Sequence, residues 1–338
     1  MTQSRSRKLF KTIPGLLVSA FFLWYTFRGI SFEQIRSLRM AHPVWIVGVL
    51  AFTCASYTLR CLRWTRMMRS TSARFPVCAR VLMTSLAANN ILPFRIGDIM
   101  RVFTYAGDLG ASSSVILSTV ILEKLLDIFV LVLLFVAFMG GGGNPHSRLM
   151  AEVLLGISSV GLLVVILGAR VLEPIIRRFF AQRHKNSEQT SKLQKIEHWL
   201  LLALHSIRQI GIAGSFLLLI QSFVIWTCEG MIFVSAARLI ELTVDWIGPW
   251  QAVSVANLSY LIPSSPGAIG TFEWAVKTSL VSHGAREPLA ALYGLALHAW
   301  LLISVTGAGG ILFLIHRLRI HNHTPLLEEI ETLPAELP

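Results

Sequence analysis

Six long apolar segments limit what this chain can fold into. Crossing the ~30 Å hydrocarbon core of a bilayer takes an α-helix of about 20 residues, and each segment has roughly that length. Hydrophobic residues make up 54% of the 338 and charged residues only 14%, a balance that water-soluble domains rarely show. The sequence therefore predicts an all-α polytopic integral membrane protein with about six spanning helices. The segments lie near residues 10–28, 44–62, 113–139, 149–170, 214–240 and 288–316.

Two further stretches are interrupted by proline and glycine. Residues 78–106 and 250–283 each contain two shorter, less apolar limbs, and neither limb is long enough to cross a bilayer comfortably. Irregular backbone at membrane depth is tolerated where protein covers it or where it lines a water-filled cavity. We therefore predict two Pro/Gly re-entrant hairpins. The alternative is that both stretches are short, kinked structural helices.

The basic residues are distributed unevenly along the chain. The net charge of +12 would fit a nucleic-acid-binding protein, but Lys and Arg lie in blocks between the apolar segments. With the N-terminus in the cytoplasm and each hairpin returning to its own side, the termini and connections place 20 of them on the cytoplasmic side and six on the opposite side, as the positive-inside rule requires. We predict a multi-pass protein of the cytoplasmic (inner) membrane with both termini cytoplasmic, and no nucleic acid as a partner.

The two halves of the chain repeat one order of segments: two spans, a basic or polar connection, a hairpin and a third span. Because three crossings reverse the chain, the second half is expected to be inverted relative to the first. The pattern PxxIG occurs in both hairpins, starting at Pro93 and at Pro266. We predict one membrane domain, with repeat 1 at about 1–140, repeat 2 at about 149–320 and a short cytoplasmic tail at 321–338.

The first hairpin contains charged residues in the run LPFRIGDIMR, residues 92–101. Charged groups inside a membrane segment need partners or a polar substrate. Arg95 and Arg101 are therefore candidates for binding a lipid phosphate, helped by free amides after Pro93. Asp98 would orient one of these arginines. The alternative is a cytoplasmic interfacial loop whose arginines extend to the lipid headgroups.

The span after the first hairpin contains two acids one turn apart. Glu123 and Asp127 lie on one helical face of an apolar segment, where ionisable groups are costly. We predict that they brace the hairpin by pairing with Arg95 or Arg101. The alternative is that they belong to a path for protons or headgroups.

The second hairpin contains LIPSSPGAIGTFEW, residues 261–274, which is typical of a tight turn whose amides point into a cavity. We expect Ser264 and Ser265 to lie at the substrate site. Glu273 would accept a proton or recognise an amine, with Lys277 as its partner; the alternative is a local Glu–Lys pair at the outer interface. The residues expected to shape both hairpins are Pro93, Gly97, Pro263, Pro266, Gly267 and Gly270.

The remaining polar residues are weaker candidates for a functional site. Glu229, inside the fifth span, is a weaker site candidate, because a lone acid there can be neutral or hydrogen-bonded to a neighbouring helix. His298 is more simply explained as a packed, hydrogen-bonded histidine. The sequence has no metal-ligand spacing and no nucleotide-binding motif, so we predict no metal and no cofactor.

The blocks NNILPFRIGDIMR, ILEKLLD and PSSPGAIGTFE resemble, in order and approximate spacing, the lysylphosphatidylglycerol synthase transmembrane-region family, also described as flippase-like domain proteins. The resemblance covers nearly the whole chain and implies a role in lipid translocation. Members fused to a cytosolic aminoacyltransferase domain make and flip aminoacylated phosphatidylglycerol. This chain ends about 20 residues after its last predicted span, so we expect no such transferase activity. The matching positions are Asn90, Pro93, Arg95, Gly97, Asp98, Arg101, Glu123, Asp127, Pro266, Gly267, Gly270 and Glu273.

The sequence thus predicts a lipid flippase or translocase. Its partner would be a membrane lipid with an anionic or polyprenyl-phosphate headgroup. Two other classes remain open: a lipid-modifying transferase that uses the same charged cavity, and a non-catalytic accessory subunit of envelope-lipid synthesis. Homo-oligomers and complexes with envelope-lipid biosynthetic enzymes are both compatible with the sequence.

Overall fold

The computed structural model describes residues 17–28, 40–138, 145–184, 190–262 and 264–331. These residues form an all-helical membrane protein. In chain order the helices are α1 (Leu17–Phe27), α2 (Trp45–Met67), α3 (Phe75–Ile91), α4 (Ile96–Phe103), α5 (Ser113–Phe138), α6 (Pro145–His184), α7 (Thr190–Leu239), α8 (Gly248–Leu258), α9 (Thr271–Val281) and α10 (Glu287–Glu331).

Three of the described helices contain stretches long and apolar enough to cross a membrane. These stretches are Trp45–Met67 in α2, Arg208–Leu239 in α7 and Glu287–Arg319 in α10. The apolar parts of α1 and α6 are shorter, and three charged residues interrupt α5. The membrane character of the fold is therefore established, whereas the count of six spans stays a prediction.

The first hairpin (residues 75–103) consists of α3 and α4, joined by a short 3-10 turn at Pro93–Arg95. Helix α4 folds back on α3, because Gly97 lies directly against the carbonyl oxygen of Ser85, where there is no room for a Cβ. Asn89 fixes the start of α4 by accepting the backbone N–H of Asp98 at 3.2 Å. In this structure Pro93 follows the end of α3, and Gly97 permits the close packing of α4 on α3.

The second hairpin (residues 248–281) has three residues with left-handed backbone between its limbs. They are Gly267 with φ of 68°, Ala268 with φ of 57° and Gly270 with φ of 94°. Gly270 also lies close to α1, since a Cβ added there would be 2.5 Å from the carbonyl oxygen of Ser19. Glycine is the residue that adopts positive φ without strain, and it leaves space for the neighbouring backbone.

Helix α10 connects the two hairpins in space, because it packs against both α3 and α9. Gly309 of α10 contacts the carbonyl oxygen of Met83 in α3. Apolar side chains form one core around each hairpin, and α2 packs along α7 beside them. The turns of the two hairpins consequently contact each other. Their depth in the bilayer and the inverted repeat stay predictions.

Candidate functional site: a cavity between the two hairpins

The turns of both hairpins line one cavity with a volume of about 1030 Å³. Gly267 of the second hairpin lies close to the first, since a Cβ added to it would be 3.5 Å from the carbonyl oxygen of Asn90. Helices α2, α5, α7 and α10 form the other walls. Eight of the predicted site and hairpin residues line the cavity: Asn90, Pro93, Arg95, Asp127, Ser264, Ser265, Pro266 and Gly267.

The other predicted residues have different positions. Seven of them do not line the cavity. Six lie in α4, α5 or α9, namely Gly97, Asp98, Arg101, Glu123, Glu273 and Lys277, and Gly270 directly precedes α9. Pro263 lies outside the described residues.

Arg95 is the predicted arginine that faces the cavity. It occupies the last position of the 3-10 turn, its backbone is left-handed with φ of 53°, and its side chain is exposed. A non-glycine residue in this conformation costs about 1–2 kcal/mol, so the fold holds Arg95 there against its backbone preference. No hydrogen bond or ion pair joins it to another described residue. Its guanidinium group is therefore free to bind an anion.

Arg101 is buried in an ion-pair cluster. Its guanidinium donates a hydrogen bond to Glu123 at 3.0 Å and contacts Asp98 at 3.4 Å, and it lies over the ring of Trp64. The side chain is fully buried. The Arg101–Glu123 pair has the geometry expected of a brace, because it ties α4 to α5. Arg95, and not Arg101, is thus placed to bind a phosphate in the cavity.

Asp127 pairs with Arg63, and the expected pairing of this acid with Arg95 or Arg101 is wrong. Arg63 donates two hydrogen bonds to the Asp127 carboxylate, at 2.6 and 3.1 Å, and one to Ser222 at 2.6 Å. Arg63 lies on α2, which contacts α5, so it reaches the carboxylate from the neighbouring helix.

A second arginine of α2, Arg60, also lines the cavity, and the sequence reasoning missed it. Arg60 lies near the end of the apolar segment expected at 44–62 and belongs to the basic block assigned to the cytoplasmic side, whereas α2 continues to Met67. Its guanidinium is 3.4 Å from Glu229 and 3.9 Å from Asp127. The available signal was the spacing of Arg60 and Arg63, which puts both on one helical face inside the protein.

Glu273 is buried within the second hairpin, in the first turn of α9. It accepts the backbone N–H of Gly270 at 2.6 Å and contacts Nδ1 of His298 at 2.8 Å. His298 in turn lies 3.4 Å from the hydroxyl of Tyr260, which lines the cavity. The carboxylate thus fixes the start of α9 and links the hairpin to α10.

Lys277 does not pair with Glu273, so that expectation was wrong. Its ammonium group donates to the carbonyl oxygen of Thr26 at 3.0 Å and lies 2.6 Å from Glu287. His298 from the facing helix occupies the position beside Glu273. Lys277 therefore ties α1 to α9 and α10 and does not contribute to the cavity.

The cavity combines charged and amide groups with apolar walls, which suits an amphiphilic ligand. Its charged lining residues comprise three cations and two acids: Arg60, Arg95, Lys124, Asp127 and Glu229. Amide and hydroxyl groups come from Asn89, Asn90, Asn257, Ser264, Tyr57 and Tyr260, and apolar surface from Val18, Leu131, Leu301, Leu302 and Val305. A polar headgroup and part of a hydrocarbon chain can thus be accommodated together.

The chain is similar to known membrane proteins along most of its length. Residues 13–333 match the model of a family described as "Lysylphosphatidylglycerol synthase TM region". One relative, glycosyltransferase AglD of Haloferax volcanii, is 25% identical over 318 residues, which cover 82% of this chain but only 50% of AglD. Another, UPF0104 membrane protein PH1989 of Pyrococcus horikoshii, is 23% identical over 311 residues, covering 84% of this chain and 90% of that protein. No solved structure gives a significant match.

Proposed function

Because this chain belongs to the lysylphosphatidylglycerol synthase transmembrane-region family, we propose that it moves an anionic lipid between the leaflets of the cytoplasmic membrane. The family and the relatives indicate a membrane lipid-related function, and translocation is the specific activity that the cavity supports best. The observation that carries the proposal is that two Pro/Gly hairpins from separate halves of the chain line one cavity.

The headgroup binds through Arg95. A guanidinium group without a partner among the described residues attracts a phosphate, because its planar fork of N–H donors forms charge-assisted, often bidentate hydrogen bonds to phosphate oxygens. Asn90 and Ser264 are cavity-lining side chains that supply further hydrogen bonds to the headgroup. The acyl or polyprenyl chain remains on the apolar side, along Leu301, Leu302 and the lipid.

Each hairpin supplies half of the lipid-binding site. Discontinuous helices from two inverted repeats that meet at a polar site are the usual basis of alternating access in secondary transporters. Rocking of one repeat against the other opens the cavity to each leaflet in turn. The re-entrant geometry, the inverted repeat and the orientation with both termini cytoplasmic are parts of this proposal.

A second candidate is a role in glycosylation of a lipid, supported by the relative named glycosyltransferase AglD. Since this chain spans half the length of AglD, the activity of that whole protein is not transferred to it. In this candidate the chain binds a lipid acceptor in the same cavity, either as a transferase or as the membrane subunit of an envelope-lipid biosynthetic enzyme.

Leaflet exchange in reconstituted liposomes tests the translocation proposal. Fluorescent phosphatidylglycerol, phosphatidylcholine and polyprenyl phosphate are incorporated, and their exchange is followed by quenching of the outer leaflet. Wild-type protein should accelerate exchange of the anionic lipids, and Arg95→Gln should slow it about tenfold, as expected for loss of a charge-assisted hydrogen bond. Arg69→Gln is the matched control, because Arg69 is exposed and does not line the cavity.

Two outcomes would change the conclusion. Absence of exchange for every lipid in correctly folded wild-type protein would overturn the translocation proposal. Formation of a glycosylated lipid from polyprenyl phosphate and a nucleotide sugar, without leaflet exchange, would favour the second candidate.

A further inference from the structure

We infer that Arg60 forms a second anion-binding position in the cavity, which takes a phosphoryl or carboxylate group of the bound headgroup. This inference rests on the proposed function for the identity of the ligand. Its basis is that Arg60 lies between two acids, both of which have closer partners than Arg60 itself.

Asp127 is already neutralised by other groups. Its Oδ1 accepts hydrogen bonds from Arg63 at 2.6 Å and from Trp226 Nε1 at 3.1 Å, and its Oδ2 accepts a second one from Arg63 at 3.1 Å. The Arg60 guanidinium is 3.9 Å from Oδ2, beyond hydrogen-bonding distance. Arg60 is therefore not needed to satisfy this carboxylate.

Glu229 is also held by a closer donor. The Ser56 hydroxyl donates to Glu229 Oε2 at 2.8 Å, whereas Arg60 Nη2 lies 3.4 Å from the same oxygen. The two donors share one oxygen, and the arginine makes the longer contact. An incoming anion that accepts two shorter hydrogen bonds from Arg60 would replace a contact that is already weak.

The environment of Arg60 favours binding of an anion with two acceptor oxygens, as in a carboxylate or a phosphoryl group. Its guanidinium lies over the Trp226 ring, 4.7 Å from the ring centre, and this stacking leaves the in-plane N–H groups available for an acceptor. The Nε atom is buried and has no hydrogen-bond partner among the residues that the structure describes. Arg63 and Arg101 also have an unpartnered Nε, but neither lines the cavity. The Arg60 side chain is 15% exposed against 1% for Arg63.

The charge balance of the cavity supports the same conclusion. Three cations and two acids line it. Asp127 is paired with Arg63 and Lys124 with Asp98 and Glu123, all outside the lining, so Arg60 and Arg95 face Glu229 alone among the lining acids. An excess of positive charge in a protein cavity is stabilised by an anion. With Arg95 on the hairpin turn and Arg60 on α2, the cavity presents cations on two different walls, and a headgroup with two acidic groups can contact both.

Binding of soluble anions to the full chain tests the inference without requiring transport. Purified protein in detergent is titrated with sn-glycerol 3-phosphate or with succinate, and the thermal unfolding midpoint is followed, because a ligand of the folded state raises it. A second arm measures unfolding in bilayer discs of phosphatidylglycerol against discs of phosphatidylcholine, which separates a lipid headgroup from a free anion.

Four variants differ in the anion affinity that we expect: two should bind more weakly, one should bind like wild type and one should bind more tightly. Arg60→Gln should weaken binding about tenfold, and Arg60→Lys should weaken it less, because lysine keeps the charge but loses the planar fork. Arg66→Gln removes an exposed arginine from the same helix and should bind like wild type. Glu229→Gln should tighten binding several-fold, because it removes the acid that competes for Arg60 while keeping an acceptor for Ser56.

The outcomes separate this inference from the proposed function. Equal binding by Arg60→Gln and Arg66→Gln, or no stabilisation of wild type by any of these anions in either arm, overturns the anion-binding position. Weaker binding by Arg60→Gln without lipid exchange by wild type supports the position and overturns translocation. If Arg60→Gln does not fold, the anion affinity of Glu229→Gln is the remaining test. Tighter anion binding than wild type supports the inference, and unchanged or weaker binding overturns it.

Discussion

Replacing Gly97 by alanine is expected to destabilise the protein by about 3 kcal/mol. A Cβ at this position overlaps the carbonyl oxygen of Ser85 and lies 2.7 Å from Oδ1 and 2.9 Å from the amide nitrogen of Asn89. Backbone atoms cannot rotate away, so α4 must move off α3, and such overpacking costs about 1–3 kcal/mol. The movement also breaks two hydrogen bonds of 3.2 Å between Asn89 and Asp98, each worth about 1 kcal/mol. The better helix propensity of alanine offsets less than about 1 kcal/mol.

Thermal unfolding of purified protein in one detergent, followed by circular dichroism, measures this effect. Gly107→Ala is the matched control, because nothing lies within 4 Å of a Cβ added there. The Gly97 variant should unfold at a clearly lower temperature, and the Gly107 variant should remain close to wild type. Equal midpoints for the two variants would refute the argument that α4 packs against α3 through this glycine.

Three further predictions concern the cavity, the second hairpin and the loop between α7 and α8. Arg95→Gly should raise stability by up to about 1 kcal/mol, because glycine adopts the left-handed backbone more easily, yet abolish lipid exchange; unfolding and exchange measured on one preparation test both. Glu273→Ala should cost about 3 kcal/mol by leaving His298 and a buried amide without a partner, and Glu273→Gln should cost less, as unfolding midpoints would show. Burial alone would raise the pKa of Asp245, but hydrogen bonds from His283 and two backbone amides lower it below its usual 3.8. The stability from this depressed pKa is present above pH 3.8 and is lost as the pH falls through the lower value, so wild type and Asp245→Asn should converge in acid unfolding.

The helices were largely predictable because each follows from a local property of the sequence. The segment expected at 44–62 forms α2, Trp45–Met67, and the one expected at 113–139 forms α5, Ser113–Phe138. The Pro/Gly interruptions marked the breaks between α3 and α4 and between α8 and α9. Helix ends were less accurate, since α2 continues through its arginines once they have partners inside the protein.

The candidate site was only partly predictable, because its decisive contacts join residues far apart in the sequence. Arg95, Ser264 and Ser265 were identified from local runs, and the structure brings them to one cavity. The Arg63–Asp127 pair joins residues 64 positions apart and depends on how α2 packs against α5. Local spacing correctly suggested Arg101 for Glu123, but it suggested nearer partners for Asp127 and Glu273 than those that tertiary packing provides.

The Arg63–Asp127 ion pair has a consequence for how the chain is inserted into the membrane during synthesis. Helix α2 leaves the ribosome before α5, so Arg60 and Arg63 have no acidic partner from α5 while the first part of the chain is inserted. An arginine in the middle of a membrane helix costs about 2.5–3.5 kcal/mol on insertion scales. Because Arg60 and Arg63 lie in the last turns of α2, they can reach the lipid headgroups in the meantime. We therefore expect α2 to reach its final position only after α5 has brought Asp127 to Arg63.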